Sequence, residues 1–229
     1  MTVFLVPIGA GRHALYCEVK ETEVEPVDQP RSGVSWRDRI LHRFRTTVAD
    51  AEAEREREEL GETSARRAGV GRFIVRKIAE AVAEQRLLWN LRRAVVVRLV
   101  HPDDMAGSEA MRLARAEFTA DYRKHLTRGI INGTVSAVLG VVFFFVPGPN
   151  LVAYYFLFLA IGHYFALRGA LRGLRGVSWT TEPSAALSEV RGALALDSSA
   201  RRQQLEVITR DLGLERLWRF IERVARRPQ

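Results

Sequence analysis

The chain has 229 residues, 47% apolar and 27% charged, a balance that excludes a disordered polyelectrolyte. Its single cysteine, Cys17, excludes an internal disulfide framework and any Cys-rich zinc module. With 35 basic against 27 acidic residues the net charge is +8, which points to an anionic partner, either nucleic acid or a lipid surface.

Residues 3–8 and 14–19 read as two short strands around the turn Gly9-Ala10-Gly11-Arg12-His13, and Pro7 suggests a sheet edge for the first of them. The start has no basic n-region and no Arg-rich amphipathic stretch, so neither a secretory signal nor a mitochondrial transit peptide is expected. Residues 20–33, with Pro26, Pro30 and several acids, read as a linker. Ser35 caps an expected helix over 36–60, with Trp36, Ile40, Phe44 and Val48 on its apolar stripe and a second half that is almost wholly charged. A second helix is expected over 68–93. A β-branched strand over 94–100 then ends at His101-Pro102, and Ser108 caps a helix to about residue 126.

From Gly129 to Leu167 there is no Asp, Glu, Lys or Arg. This window breaks at Pro147-Gly148-Pro149-Asn150, where two prolines stop one helix and Asn150 can cap the next. As helices the arms 129–146 and 151–167 would be about 27 and 25 Å long, the short end of what spans a hydrocarbon core of about 30 Å. Arg123, Lys124 and Arg128 precede the window and Arg168, Arg172 and Arg175 follow it, which would put both flanks on the cytoplasmic side. The expected fold is mainly α with a small β component, a short N-terminal hairpin and one further strand, together with a two-helix transmembrane or re-entrant hairpin. The expected domains are a cytoplasmic α+β region (1–128), a membrane helical hairpin with its turn at 147–150 (129–167), and a basic C-terminal helical region (168–229). In this last region a short strand is expected over 177–181 and helices over 184–195, 199–212 and 214–227.

Gly9-x-Gly11-x-x-Ala14 has the spacing of a dinucleotide fingerprint, but a strand rather than a helix follows, so a hairpin turn accounts for the glycines. His13 and Cys17 could offer two metal ligands, and two do not make a site. Asp103 and Asp104 pair two carboxylates after Pro102, where turn chemistry explains them without a catalytic cleft. No nucleophile triad, phosphate loop or zinc-helix motif occurs. No catalytic, cofactor-binding or metal-binding residue is assigned, no cofactor is implied and an enzyme is not expected. Small residues recur on both arms, at Gly129, Gly133, Ala137 and Gly140 on the first and at Gly162 and Ala166 on the second, a pattern that lets helices approach closely. His163, the one imidazole of the window, is the candidate proton-sensitive residue.

Four stretches occur in a familiar order. They are Phe4-Leu5-Val6-Pro7-Ile8-Gly9 with Tyr16-Cys17-Glu18; Glu84-Gln85-Arg86-Leu87-Leu88-Trp89; Val100-His101-Pro102-Asp103-Asp104; and Pro147-Gly148-Pro149-Asn150 leading to Ala153-Tyr154-Tyr155, Gly162-His163-Tyr164 and Arg168-Gly169-Ala170. Together they resemble the mitochondrial K+/H+ exchange-related family, in a bacterial form, over about residues 1–175. The resemblance implies an inner-membrane protein linked to potassium–proton exchange, and K+ and H+ enter only through it. It carries over no catalytic residues.

A coupled exchanger needs intramembrane acids and several helices around a midplane site, which two short acid-free arms do not supply. The expectation is therefore an integral membrane protein with an accessory or regulatory role. Its expected partners are the lipid bilayer and either a second copy of itself or a membrane transporter. The expected location is a bacterial cytoplasmic (inner) membrane with both termini in the cytoplasm, with the mitochondrial inner membrane as the alternative. A membrane-anchored scaffold unrelated to ions is the second reading. A soluble nucleic-acid binder is the third and the poorest, because few aromatics interleave with the arginines.

Overall fold

The computed structural model describes residues 1–9, 11–18, 87–144 and 151–225. The expected linker over 20–33, the helix over 36–60, most of the helix over 68–93, and Pro147, Gly148, Pro149 and Asn150 lie outside the described residues. The elements run β1 (Thr2–Gly9), β2 (Arg12–Tyr16), β3 (Val96–Pro102), α1 (Gly107–Phe144), α2 (Leu151–Arg175), β4 (Ser178–Ser184), α3 (Ala185–Ala195), α4 (Ser198–Asp211) and α5 (Leu217–Ala225). A helical segment over 87–91 precedes β3. The chain divides into two compact units: the first comprises Met1–Lys20, Leu87–Lys124 and Leu167–Gln229, and the described part of the second lies within His125–Ala166. Both α1 and α2 contribute residues to each unit.

The first unit is built on a four-stranded sheet of order β2-β1-β3-β4. β1 pairs antiparallel with β2, while β1 with β3 and β3 with β4 are parallel. The register sets Val3 beside Leu99 and Phe4 beside Val100, so side chains alternate between two faces. Phe4, Val6 and Val100 pack on Leu187, Val190, Leu205, Ile208, Leu217 and Ile221 of α3, α4 and α5. On the other face, Val97 is the partner of Trp179. The Trp179 ring lies 5.7 Å from Phe118 of α1, and its Nε1 donates to the Gly173 carbonyl of α2 at 2.9 Å. Val3, Leu5, Val97 and Leu99, on this same side, are almost fully buried. Burial on both faces is why β1 reads as a continuous apolar run. Fully burying each of these aliphatic side chains contributes about 1.5–3 kcal/mol, so the sheet is the energetic frame of the unit.

Local chemistry fixes the connections. Gly9 and Gly11 hold φ of 94° and 70° in the hairpin turn, angles that disfavour a side chain. Asp197 caps α4, accepting from the Ala200 N–H at 3.0 Å. α4 ends on Gly213 (φ 65°), with the Leu214 N–H donating to the Thr209 carbonyl and the Gly213 N–H to that of Arg210, a Schellman closure. The Glu18 carboxylate then accepts from the backbone N–H groups of Glu215 and Arg216, just ahead of α5, and from the Tyr16 hydroxyl at 3.0 Å. Burial and the Glu18 charge push the Tyr16 hydroxyl well above its ordinary range.

Two expectations are overturned here. The protein is mixed α/β rather than mainly α with a small β component, because the hairpin, β3 and β4 join in one sheet. β1 is interior, so Pro7 does not mark an edge strand. Its pairing with β3 covers only Thr2 to Phe4, so Pro7 lies past the point where that side requires an N–H donor.

The expected membrane hairpin, spanning or re-entrant, is overturned as well: among the described residues no helix is long and apolar enough to cross a membrane. The first arm is no separate element but the end of the 38-residue α1, which begins with charged turns carrying Glu109, Arg112, Arg115 and Glu117. Polar groups in the two arms serve internal contacts, since the Ser136 hydroxyl donates to the Ala153 carbonyl at 2.9 Å and His163 bonds another side chain.

Among the described glycines the tightest backbone approach joins two of the familiar stretches: a Cβ on Gly169 would overlap the Leu88 carbonyl oxygen and carbon. Because that obstacle is backbone, Gly169→Ala is expected to destabilise the protein by about 3 kcal/mol. Gly133 has nothing within 4 Å of an added Cβ, so Gly133→Ala is expected to be neutral or to stabilise by up to about 1 kcal/mol. Denaturant midpoints of the two variants check this, and an unperturbed Gly169→Ala protein would contradict the contact.

Candidate functional site: a buried histidine pair

The second unit carries the arrangement with the most evident chemistry. His125 of α1 and His163 of α2 are 3% and 7% exposed, and their Nδ1 atoms lie 2.9 Å apart. The ring centroids are 5.1 Å apart with the planes inclined at 42°. Helical periodicity puts Gly129 one turn beyond His125 on the same side. A Cβ on Gly129 would stand 3.4 Å from the His163 Cβ, so the missing side chain leaves room for that imidazole. On α2, Gly162 and Ala166 flank His163 and are buried, so bulk is kept low on that side too.

The chemistry follows from the inventory of the imidazole ring. Two Nδ1 atoms at this distance can share one proton: one ring donates, and the other, protonated at Nε2, accepts. A second proton would set N–H against N–H and remove the bond. Both rings are cations only when the donor ring also carries a proton on Nε2; they then stand about 5 Å apart, a repulsion of about 3 kcal/mol at an effective dielectric near 20. The pair therefore has a bonded state, in which only one Nδ1 is protonated, and a repelled state, in which both rings are imidazolium.

The small-residue positions divide. Gly129 faces His163, and Gly162 and Ala166 are buried beside it, whereas Gly133 and Gly140 look onto open space among the described residues and Ala137 is exposed. His163 has a partner that sequence reasoning missed. His125 sits between Lys124 and Arg128, before the uncharged window begins. Its signal is positional: it lies four residues ahead of Gly129 on one helical face.

A second polar cluster occupies the carboxyl edge of the sheet in the first unit. The Ser188 hydroxyl accepts from the Asp103 N–H at 3.1 Å and donates to the Asp103 carboxylate. Asp104 pairs with Arg191, which also lies 3.5 Å from His13 Nε2. Burial, followed by the Arg191 charge, holds His13 below its ordinary pKa. Both carboxylates after Pro102 thus bind α3, one turn apart, and clamp it to the end of β3. Among the described residues no three His, Cys, Asp or Glu side chains gather in a metal-ligating group.

Fold and site define an α/β protein whose parallel strands β3 and β4 are joined through two long helices bearing a buried imidazole pair. Over residues 2–172 the chain matches the family described as mitochondrial K+-H+ exchange-related, and it belongs to that family. No curated protein and no solved structure matches it. The family's name links the chain to K+/H+ exchange and associates it with mitochondria. The matched span includes both histidines.

If the bond between the rings matters, His125→Leu and His163→Leu should each cost about 1–3 kcal/mol, because each leaves the other imidazole without this partner. The double variant should cost less than the sum, with a coupling of about 1 kcal/mol or more. Additive losses in the denaturation cycle would contradict the pairing.

Proposed function

We propose that the chain is a non-catalytic, proton-responsive accessory protein of K+/H+ exchange rather than the exchanger itself. The observation that carries this reading is the Nδ1–Nδ1 contact of 2.9 Å between two buried histidines. Acidification that converts both rings to imidazolium sets the repulsion of about 3 kcal/mol against the bonded state and removes a bond worth about 1 kcal/mol, together a shift of several-hundred-fold between states. Along the two helices the neighbouring ionisable groups are Asp121, Tyr122, Lys124 and Arg128 around His125, and Tyr164 and Arg168 after His163. In sequence, no Asp or Glu occurs between Asp121 and Glu182, so Asp121, one turn ahead of His125, is the last carboxylate before the pair.

The absence of Asp and Glu from residues 122–181 favours the accessory role, because a coupled ion path is built around acids. In this reading the partner is an exchanger held in a bacterial cytoplasmic or mitochondrial inner membrane. The test is K+-driven proton flux in vesicles from a deletion strain. Wild-type protein should restore a flux that depends on pH between about 5.5 and 7.5. His125→Gln and His163→Gln should restore flux with that dependence flattened, and the purified chain reconstituted alone should exchange nothing. Exchange by the purified chain alone, or unchanged pH profiles in the variants, would overturn the proposal.

A further inference from the structure

We infer that the start of α1, together with His101 and Thr181, is a binding site for a phosphate group, either the free ion or the end of a monoester. β1, β3 and β4 run parallel, so their carboxyl ends share one edge of the sheet, the edge at which ligands bind in open α/β sheets. α1 opens at this edge, directly after β3 and a short turn. Ala106 takes the cap position, its carbonyl accepting from the Glu109 and Ala110 N–H groups. An alanine has no side-chain oxygen to offer the helix start. The N–H groups of Gly107 and Ser108 have no acceptor among the described residues, and they stand at the positive end of a 38-residue helix.

His101 is the second, independent pointer. Its ring is 3% exposed, and its Nδ1 lies 2.8 Å from the Pro102 carbonyl oxygen. A carbonyl only accepts, so Nδ1 carries the proton. Nε2 has no hydrogen-bond partner among the described residues. It is aimed at the helix start, for a Cβ on Gly107 would stand 3.4 Å from it and 2.6 Å from the Thr181 hydroxyl oxygen. Glycine here leaves the backbone donors close to both side chains. Ser108 and Thr181 are exposed, so a ligand can reach them from solvent. Two backbone N–H groups, two hydroxyls and an imidazole nitrogen that can donate or accept fit a tetrahedral oxyanion in either protonation state. The nearby acids Asp103, Asp104, Glu109 and Glu182 are engaged elsewhere, on Ser188, Arg191, Arg112 and Arg98.

The test is a titration of the full, nitrogen-labelled chain with inorganic phosphate, followed by NMR. The Gly107 and Ser108 amide signals should shift and saturate at about 1 mM phosphate or below. His101→Leu should weaken binding about tenfold or more and Thr181→Val about fivefold, the losses expected for hydrogen bonds to an ion. Ser108→Asp sets a carboxylate on the helix start, so it should abolish binding while leaving the melting temperature unchanged or raised. Ser108 and Thr181 are exposed, so these two variants decide the matter even if His101→Leu fails to fold. Displacement by methyl phosphate would assign the group to a monoester, and its exclusion with inorganic phosphate still bound would assign it to the free ion. His125→Leu should bind phosphate as the wild type does, which separates this site from the proton-responsive reading. Three results would overturn the inference: no saturation below about 10 mM, shifts that leave Gly107 and Ser108 unmoved, or undiminished binding in Ser108→Asp and Thr181→Val.

Discussion

One shared proton sets the constraint on the second unit. Two imidazoles that meet through Nδ1 must divide their protons unequally, and both rings here are buried. Everything near the contact is arranged so that it can form. Gly129 withholds a side chain where His163 arrives, Gly162 and Ala166 keep α2 slim beside it, and the Ser136–Ala153 hydrogen bond joins the same two helices further along. A leucine in place of one histidine would fill similar space, but it could not make a contact whose sign depends on the proton count.

The first unit obeys a different constraint, burial on both faces of a small mixed sheet. β1 and β3 lie inside it and are apolar almost throughout; β4 lies at its edge and is mostly exposed. Pro183 is tolerated in β4 because an edge strand has one side without partners. The tethers at this unit's rim are polar and local: Asp103 to Ser188, Asp104 to Arg191, and Glu18 to the backbone ahead of α5. The Asp104–Arg191 pair is about 40% exposed on both sides, so its worth lies in orientation more than in energy.

Much of this unit was legible in the sequence. The hairpin announced itself through an apolar run, a glycine turn and a second short strand. β3 was visible from its β-branched residues, displaced by two positions, and the helices after residue 184 from their periodicity and caps. The sheet itself was not legible. Its parallel pairings join strands far apart in the chain, and Ser178–Ser184, polar and edge-lying, has no alternation to betray its partner. The uncharged window misled for a related reason. Hydropathy counts polar residues without their directions, and it could not show that Ser136 and His163 turn inward to partners. Half of the candidate site was therefore named, His163 and its flanking small residues, while His125 was hidden among the cations Arg123, Lys124 and Arg128.

The central claim is that His125 and His163 hold a single proton between their Nδ1 atoms and part when a second arrives. The direct measurement is nitrogen NMR of the full chain with labelled histidine, following the ring nitrogens and the coupling across the hydrogen bond as pH falls. At neutral pH one Nδ1 should be protonated and the other bare, with a through-bond coupling between them that disappears on acidification as both rings become imidazolium. Two rings that titrate independently, with no coupling at any pH, would contradict it.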